Sequence, residues 1–504
     1  MKKLLGPLLY AESCAPDEWK FRVHLFISGK PDGLALTMKG ATVSELQSIA
    51  KLATGNVKGS IVGWTVTLPR AEKEQTLSYT IKGLDEPLTV KGVRVPKLGE
   101  LPRFAFFSCN GVSDEKLWNQ LDEPYACWSD LYERHEEDGL HLLVGGGDQL
   151  YCDSLFETNE HLREVFKHWS KADKRTQPVP AGFADEIAKQ YVDLYVSRWS
   201  QEGGIVDALA RIPSLFTWDD HDVFDGWGSH ETLQSSPHYR TMFEAARRAF
   251  MAFQLGVPDE KNEHFLTRRD FVGGECDTTF LLLDGRSQRG TDEVLGSAQW
   301  RELDAQLDLI AKARANVVRP LHLVVVSSVP VINMSFGRFD EAGSALAGLR
   351  DDLLDQWESR HHRGERARLL MTLLNAANDA RCAVTILAGD IHVGSRSRVR
   401  STNPRHAAAN TQTVIEHVTS SAILHPAPSA LQFAGMRAIS KKSADDFDPH
   451  VVTENVPVGD DLYLRERNWL SGRFDTSNSG AARLWLEFRA ESGPISLQTC
   501  VRAP

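Results

Sequence analysis

The sequence VGGGDQLYCD, residues 144–153, follows a short apolar run and combines glycines with acidic and phenolic side chains. The apolar residues 142–144 predict a buried strand, and the glycines predict a turn directly after it. Asp148, Tyr151 and Asp153 then come within six positions. A strand fixes a carboxylate at its end, while the following loop leaves one side open, so this placement favours metal binding. We therefore interpret the stretch as the centre of a metal site.

Four further apolar runs also end in side chains that can bind a metal or a phosphate. These endings are Cys109 with Asn110, then Asp219, Asp220, His221 and Asp222, then Asp284 with Arg286, and finally Asp390 with His392. In α/β sheets, ligands bind beyond the carboxyl ends of the strands. One such ending is common as a helix cap, but five in one chain are hard to explain by caps alone. The pattern predicts a clustered metal site.

From residue 98 onward, apolar runs alternate with amphipathic segments, which is typical of an α/β fold. The predicted helices lie at residues 161–171, 184–199, 240–253, 299–313 and 365–379, and strands return from about residue 413. Residues 1–97 instead contain short segments rich in β-branched and aromatic residues between Gly, Pro and Asp turns. We expect an N-terminal all-β sandwich domain over residues 1–97 and a catalytic domain over residues 98–504.

The charge and the cysteine content of the chain indicate which binding partners and which cellular compartment to expect. The chain has 504 residues and a formal net charge of -11, which argues against a nonspecific nucleic-acid coat or an anionic membrane surface. A phosphate substrate stays possible, because bound cations would reverse the local sign of charge. The seven cysteines are scattered and odd in number, which favours reduced thiols and a cytoplasmic location. No segment is apolar over a length that predicts a membrane span.

Three blocks of the sequence, GDQLYCD, TWDDHDVFDGWG and GDIHVGS, resemble the signature blocks of PhoD-like alkaline phosphatases. This family lies within the calcineurin-like metallophosphoesterases. SCN at residues 108–110 and the later LDGRSQRG resemble further blocks, so the resemblance covers about residues 100–430. It implies two packed β-sheets flanked by helices, the four-layer sandwich of the metallophosphoesterases, with a dinuclear metal centre at one end. The β-rich N-terminal domain also fits the family layout.

The resemblance implies a role for each polar strand ending. Asp148 would bridge two metals, Cys109, Tyr151 and His392 would complete the first site, Asp220 and Asp390 would serve the second, and His221 would face the substrate. Thiolate, phenolate, carboxylate and imidazole together suit Fe3+, whereas a site of carboxylate oxygens suits Ca2+, Mg2+ or Mn2+. Fe3+ with Ca2+ is also what the resemblance implies, with Zn2+ as a further alternative at the second site. Asn110 and Arg286 are candidate substrate-binding residues.

The predicted function is a metal-dependent phosphoesterase that hydrolyses phosphomonoesters, phosphodiesters or both, with a metal-bridging hydroxide as nucleophile. His221 would protonate the leaving oxygen, and its neighbours Asp219 and Asp222 could raise its pKa. The partner would be a small-molecule phosphate ester, and the oligomeric state stays open. We further expect the aromatic residues Trp218, Phe224 and Trp227, together with an insert at residues 332–365, to form the walls of the substrate pocket.

The sequence motifs of three other kinds of hydrolytic or phosphate-binding site are absent. No cysteine has an arginine six positions later, and neither a phosphate-binding GxxxxGK[ST] loop nor a GxSxG elbow occurs. One alternative is a non-catalytic metal-binding scaffold that retains the phosphoesterase fold, although such a site would not need His221. Plainer roles also stay open: Cys109 as a small buried apolar residue, Tyr151 as a packed aromatic, and Arg286 in a structural ion pair. Asp153 could stabilise its loop or bind an extra cation.

Overall fold

The computed structural model describes residues 1–229, 234–333, 356–406, 413–439, 448–476 and 482–502. Its strands are numbered here in chain order. They are β1 (Lys3–Ala11), β2 (Glu18–Ser28), β3 (Ala35–Met38), β4 (Thr42–Val43), β5 (Gln47–Thr54), β6 (Val57–Pro69), β7 (Gln75–Lys82), β8 (Leu88–Val95), β9 (Phe104–Phe107), β10 (Leu142–Gly146), β11 (Ser214–Thr217), β12 (Thr267–Phe271), β13 (Asp277–Leu282), β14 (Leu321–Ser327), β15 (Cys382–Ala388), β16 (Gly394–Ser401), β17 (Thr413–Thr419), β18 (Val451–Val456), β19 (Tyr463–Leu464), β20 (Asn468–Asp475), β21 (Arg483–Ala490) and β22 (Gly493–Arg502).

The helices agree with the amphipathic segments of the sequence. The described α-helices are Glu115–Trp118, Ala126–Asp138, Leu155–Thr158, Glu160–His168, Lys171–Thr176, Phe183–Trp199, Ile205–Arg211, Pro237–Phe250, Gly296–Arg314, Arg363–Asp379 and Ala430–Ile439. All five predicted helical segments lie within this set, apart from small differences at their ends. No helix in the described part of the chain combines the length and the apolar character needed to cross a lipid bilayer.

The first sheet has the strand order β22-β21-β20-β9-β10-β11-β1-β2-β6-β4, and β5 also pairs with β6. The strands β9, β10 and β11 are parallel neighbours, so their carboxyl ends lie side by side. Strand β10 continues through Gly145 and Gly146, which the sequence had predicted as part of a turn. A Cβ at these two positions would come within 2.3 Å of the Phe216 ring and 2.5 Å of the Phe106 ring. The glycines therefore make room for aromatic packing within the sheet.

The second sheet has the order β12-β13-β14-β15-β17-β16-β18, with β19 paired to β16. Its strands β13, β14, β15 and β17 are parallel. Buried apolar side chains of the two sheets form a shared cluster, in which the Phe104 and Phe280 ring centroids are 5.3 Å apart. Helices cover the other face of each sheet through two further apolar clusters. This burial of apolar surface on both sides of each sheet confirms the predicted α/β class.

The strands of residues 1–97 continue the first sheet. Strand β1 pairs in parallel with β11, where Tyr10 lies opposite Ser214, and β2 and β6 extend the sheet beyond it. Strands β3, β7 and β8 form a small separate sheet, and the Tyr79 hydroxyl on β7 donates to the Ala210 carbonyl at 2.8 Å. The first sheet therefore crosses the predicted boundary at residue 97. An N-terminal sandwich domain is not confirmed, and the division into two domains stays a prediction.

Candidate metal centre

Polar side chains from both sheets meet where the parallel strands end. The Thr217 hydroxyl at the end of β11 donates to the Leu283 carbonyl after β13 at 2.6 Å. The Ser328 hydroxyl after β14 donates to Asp219 at 2.9 Å. These bonds tie the carboxyl ends of one sheet to those of the other, so the strand endings of the sequence do converge.

The four residues expected at the first metal share one neighbourhood. The Cys109 sulfur lies 3.5 Å from Asp148 Oδ2, and Cys109 and Tyr151 belong to the same buried cluster. The Tyr151 hydroxyl lies 3.3 Å from His392 Nε2. A thiol, a carboxylate, a phenol and an imidazole from residues far apart in the sequence are thus brought together. Their assignment as ligands of one metal stays a prediction.

Two groups of possible metal ligands share one member. The ligand atoms of Asp148, Asp220 and His221 lie within 4.8 Å of one another, and so do those of Asp148, Asp219 and Asp390. Asp148 belongs to both groups, which is the placement required of a bridging carboxylate. The sequence had put Asp220 and Asp390 in the same site, whereas here they belong to different groups. Asp219, which had no predicted metal role, joins the second group.

The electrostatics of Asp148 fit a cation. Asp148 is 1% exposed, and its Oδ1 atom has no hydrogen-bond partner among the described residues. Burial, followed by the nearby Cys109, Asp219 and Asp220, raises the pKa of Asp148 well above its ordinary value. A buried carboxylate that lies beside other acidic groups and has one oxygen without a donor is unfavourable unless a positive charge compensates it. The donor set around Asp148 therefore fits a metal ion.

Backbone strain is concentrated at the same residues. Cys109 and Asp148 have φ of 54°, Asp390 has 73° and His392 has 55°. Arg381 is the one other non-glycine residue with positive φ in the described ranges. Such conformations cost about 1–3 kcal/mol each and persist where the surrounding structure enforces them. Their occurrence at four predicted ligands indicates a functional constraint on where these side chains lie.

His221 is paired with Asp153. The His221 Nδ1 atom lies 2.6 Å from Asp153 Oδ2, and Asp153 Oδ1 accepts the backbone N–H of Asp225 at 2.7 Å. Burial lowers the pKa of His221, but Asp153 and Asp220 outweigh it, so that its pKa is well above the ordinary value. The pKa of Asp153 is lowered, because the pairing with His221 outweighs the effect of burial. The pairing with Asp153 therefore favours the protonated imidazole, which is the form that can donate a proton.

This pairing corrects the expected neighbours of His221. The sequence had suggested Asp219 and Asp222, which lie within two positions of His221 in the chain. Asp222 instead accepts the backbone N–H groups of Gln149 and Leu150, each at 3.0 Å, and so holds two site loops together. Burial raises the pKa of Asp222 to about 7. In the short 3-10 turn after Asp219, consecutive side chains point in different directions, which the sequence alone did not reveal.

Arg286 lies beneath the carboxylates. Its guanidinium is fully buried, bonds Asp219 Oδ1, lies 3.4 Å from Asp220 Oδ1 and donates to the Trp227 carbonyl at 3.0 Å. The positive charge of Arg286 is thus directed at two acidic side chains of the site. This placement favours the structural role left open by the sequence, and substrate binding by Arg286 stays a prediction.

Asn110 is also held by structural bonds. Its side-chain oxygen accepts the Trp128 indole N–H at 2.8 Å, and its backbone N–H donates to the Asp148 carbonyl at 2.8 Å. These bonds connect the loops after β9 and β10. Binding of a substrate by Asn110 stays a prediction.

The prediction that three aromatic residues form walls of the substrate pocket is wrong. Trp218, Phe224 and Trp227 are buried in the core between the first sheet and its helices. They pack against other aromatic rings, such as Phe250 on Trp218 at 4.6 Å between centroids, so they do not form an open wall. Most of the predicted insert, residues 334–355, lies outside the described residues.

Three groups near the site escaped the sequence reasoning. The His425 ring stacks on His392 with 3.6 Å between centroids, Ser421 Oγ lies 3.0 Å from the Cys109 sulfur, and Gln356 donates to Asp390 Oδ2 at 2.9 Å. Ser421 follows β17 and carried the same strand-end signal as the recognised residues. Gln356 lies in the predicted insert, where no local pattern marked it.

Comparison with known proteins agrees with this geometry. Residues 103–267 match the family described as PhoD related phosphatase, a range that includes Cys109, Asp148, Tyr151, Asp220 and His221. An uncharacterized protein of Saccharomyces cerevisiae is 23% identical over 409 residues, which cover 68% of this chain and 57% of the yeast protein. The family match covers the blocks SCN, GDQLYCD and TWDDHDVFDGWG, confirms their resemblance and supports a PhoD-like phosphatase family assignment.

Proposed function

We propose that this protein is a metal-dependent phosphoesterase that hydrolyses phosphomonoesters, phosphodiesters or both. The observation that carries the proposal is Asp148, a buried carboxylate whose ligand atoms lie close to those of Asp220 on one side and of Asp219 and Asp390 on the other, with the His221–Asp153 pair beside it. The family match supports a phosphoesterase-like function in general. The two packed sheets with helices on their outer faces also support the four-layer sandwich of the metallophosphoesterases.

The side chains that would hold cations differ in chemistry. Cys109, Asp148, Tyr151 and His392 would hold the first cation, and their sulfur, phenol, carboxylate and imidazole donors suit Fe3+. Asp148 with Asp220 and Asp390 would hold the second, where carboxylate oxygens suit Ca2+, with Mn2+, Mg2+ and Zn2+ as alternatives. When bound, such cations supply an activated water at neutral pH and neutralise charge on the phosphoryl oxygens.

His221 would serve as the proton donor to the leaving oxygen, which gains negative charge as its bond to phosphorus breaks. Asp153 holds the imidazole through Nδ1, so that the ring keeps one orientation and its positive charge. The Tyr151 ring stacks on the His221 ring with 4.2 Å between centroids and limits its rotation. General acid catalysis of this kind contributes about 10²–10⁴ in rate.

The substrate would be a small-molecule phosphate ester.

Six cysteines in the described residues are free and buried, which is compatible with the expected reduced thiols. The cytoplasmic location stays a prediction.

Purified protein should test the function directly. We expect turnover of 4-nitrophenyl phosphate or bis(4-nitrophenyl) phosphate, loss of turnover on chelation, and recovery when Fe3+ and Ca2+ are restored. Nucleotides tested in the same panel would show which ester class is preferred. Failure of the metal-loaded protein to hydrolyse any ester in the panel would favour the alternative, a non-catalytic metal-binding scaffold.

The identity of the first metal has an optical test. A ferric ion bound by phenolate and thiolate should give visible charge-transfer absorption, so concentrated protein should be coloured. Tyr151→Phe should shift or bleach the band, and Tyr132→Phe, at a tyrosine outside the site, should not. Colourless protein containing only zinc by elemental analysis would reject Fe3+ and leave the phosphoesterase proposal standing.

A further inference from the structure

A groove of about 970 Å³ lies on the helix-covered side of the first sheet, away from the metal centre. Five consecutive residues of β5, positions 49–53, line one side of it. Among the described strands, β5 pairs only with β6, so its other edge has no strand beside it in the described part of the chain. None of the residues that line the groove belongs to the predicted metal or substrate site.

The walls of the groove are apolar. Ile49 and Leu52 on β5 and Val192 on the Phe183–Trp199 helix line it. The opposite helix, Pro237–Phe250, contributes small side chains, among them Ala249. Because alanine fills little volume at this position, open space remains between strand and helices. A volume of this size with apolar walls lies within the range of small-molecule binding sites, about 300–1,000 Å³.

The walls are held in place by bonds outside the groove. The Asp193 carboxylate accepts the Thr54 hydroxyl at 2.5 Å and the Gly55 backbone N–H at 2.7 Å. These bonds fasten the turn between β5 and β6 to the Phe183–Trp199 helix. The groove is therefore formed before any ligand arrives, which reduces the ordering cost of binding.

The rim of the groove is positively charged. Lys51, Lys58 and Lys189 line it and form no ion pair with any described residue. Arg248 is paired with Asp259 at 3.2 Å, so these two charges compensate each other. Asp185 also lines the groove, so the lining carries four positive and two negative side chains. Its net charge is therefore +2, on a chain whose formal net charge is -11. Such a rim attracts an anionic group and repels a cationic one.

We propose that this groove binds a single-chain amphiphile with an anionic head group. The hydrocarbon chain lies between β5 and the two helices, where apolar contacts replace water. The head group lies at the rim, where the ammonium groups of Lys51 and Lys189 meet its charge. Neither wall nor rim alone specifies this ligand; their combination selects a molecule that is apolar at one end and negative at the other.

Calorimetry on the full-length protein tests the proposal with dodecanoate, decanoate and dodecyltrimethylammonium below their micellar concentrations. We expect saturable one-to-one binding of dodecanoate. Decanoate, which is two methylenes shorter, should bind about fifteenfold more weakly, because each buried methylene changes affinity about fourfold. Dodecyltrimethylammonium should bind more weakly than dodecanoate despite its equal chain. Equal affinity for the two head groups, or no saturable binding of dodecanoate, would overturn the proposal.

Variants locate the site. Lys51→Glu combined with Lys189→Glu should weaken dodecanoate binding at least tenfold, whereas the matched surface change Lys39→Glu should leave it unchanged. Ala249→Phe should block the groove and abolish binding. Thermal unfolding and phosphoesterase turnover show which variants are folded. If Ala249→Phe does not fold, the double lysine variant still tests the site. Unaltered binding in the double lysine variant would place the ligand elsewhere and reject the groove as its site.

Discussion

Two buried carboxylates, Asp148 after β10 and Asp284 after β13, occupy similar strand ends but have opposite surroundings. Asp284 accepts N–H groups on both oxygens, from the Trp218 indole at 2.7 Å and from the backbones of Phe265 at 2.9 Å, Arg286 at 3.0 Å and Ser287 at 3.0 Å. Asp148 has an oxygen without a partner and lies beside other acidic groups. The protein itself satisfies both oxygens of Asp284 and leaves one oxygen of Asp148 without a donor among the described residues. The unsatisfied oxygen therefore distinguishes Asp148, the predicted bridging ligand, from Asp284, although both follow a strand.

The largest effect should come from Asp148→Asn, which changes the carboxylate that has an oxygen without a hydrogen-bond donor. Turnover should be abolished, because an amide cannot replace a bridging carboxylate. In the metal-free protein the raised pKa of Asp148 means that folding disfavours its ionised form. This destabilisation is absent below the ordinary carboxyl range and grows as the pH rises above it. At pH 8, metal-free Asp148→Asn should thus have a midpoint of thermal unfolding no lower than that of the metal-free wild type. Retained turnover in this variant would disprove the bridging role.

The next effect concerns His221. His221→Asn should lower turnover about 10²–10⁴-fold through loss of the proton donor. Asp153 raises the pKa of His221, so the protonated form persists until the pH exceeds that raised value. In Asp153→Asn the alkaline limb of the kcat/KM profile should therefore move to lower pH.

The exposed Glu157→Gln, four positions further along the chain, is the matched control for that shift and should leave the profile unchanged. An alkaline limb that stays in place in Asp153→Asn would show that the activity does not depend on a proton held by His221.

A smaller effect should follow Asp284→Asn, which changes the carboxylate whose two oxygens both accept hydrogen bonds. The substitution removes a charged acceptor from N–H donors that are buried, which should cost about 1.5–3 kcal/mol in the free energy of unfolding. Denaturant unfolding measures this loss, and turnover per folded molecule should stay near wild type at low temperature. If Asp284→Asn abolished turnover without lowering stability, Asp284 would belong to the site and the distinction between the two carboxylates would fail.

Much of the fold was predictable, because periodicity is a local property. The apolar runs became β9–β11 and β13–β15, and the amphipathic segments became helices, since hydrophobic spacing dictates which elements can bury a face. The apolar N-terminal segment Lys3–Ala11 was not recognised as a strand, and its place beside β11 was not foreseen. Strand pairing depends on partners far along the chain, which local patterns do not specify.

The sequence by itself determined which chemical groups stand at the strand ends, including Cys109, Asp148, Tyr151 and His392, because strands and turns place them there. Only the tertiary structure decided that Asp153 pairs with His221, and that Asp148 lacks the donors that Asp284 receives. The physical reason is distance: hydrogen bonds and burial are set by atoms within a few ångströms, whatever their separation in the chain.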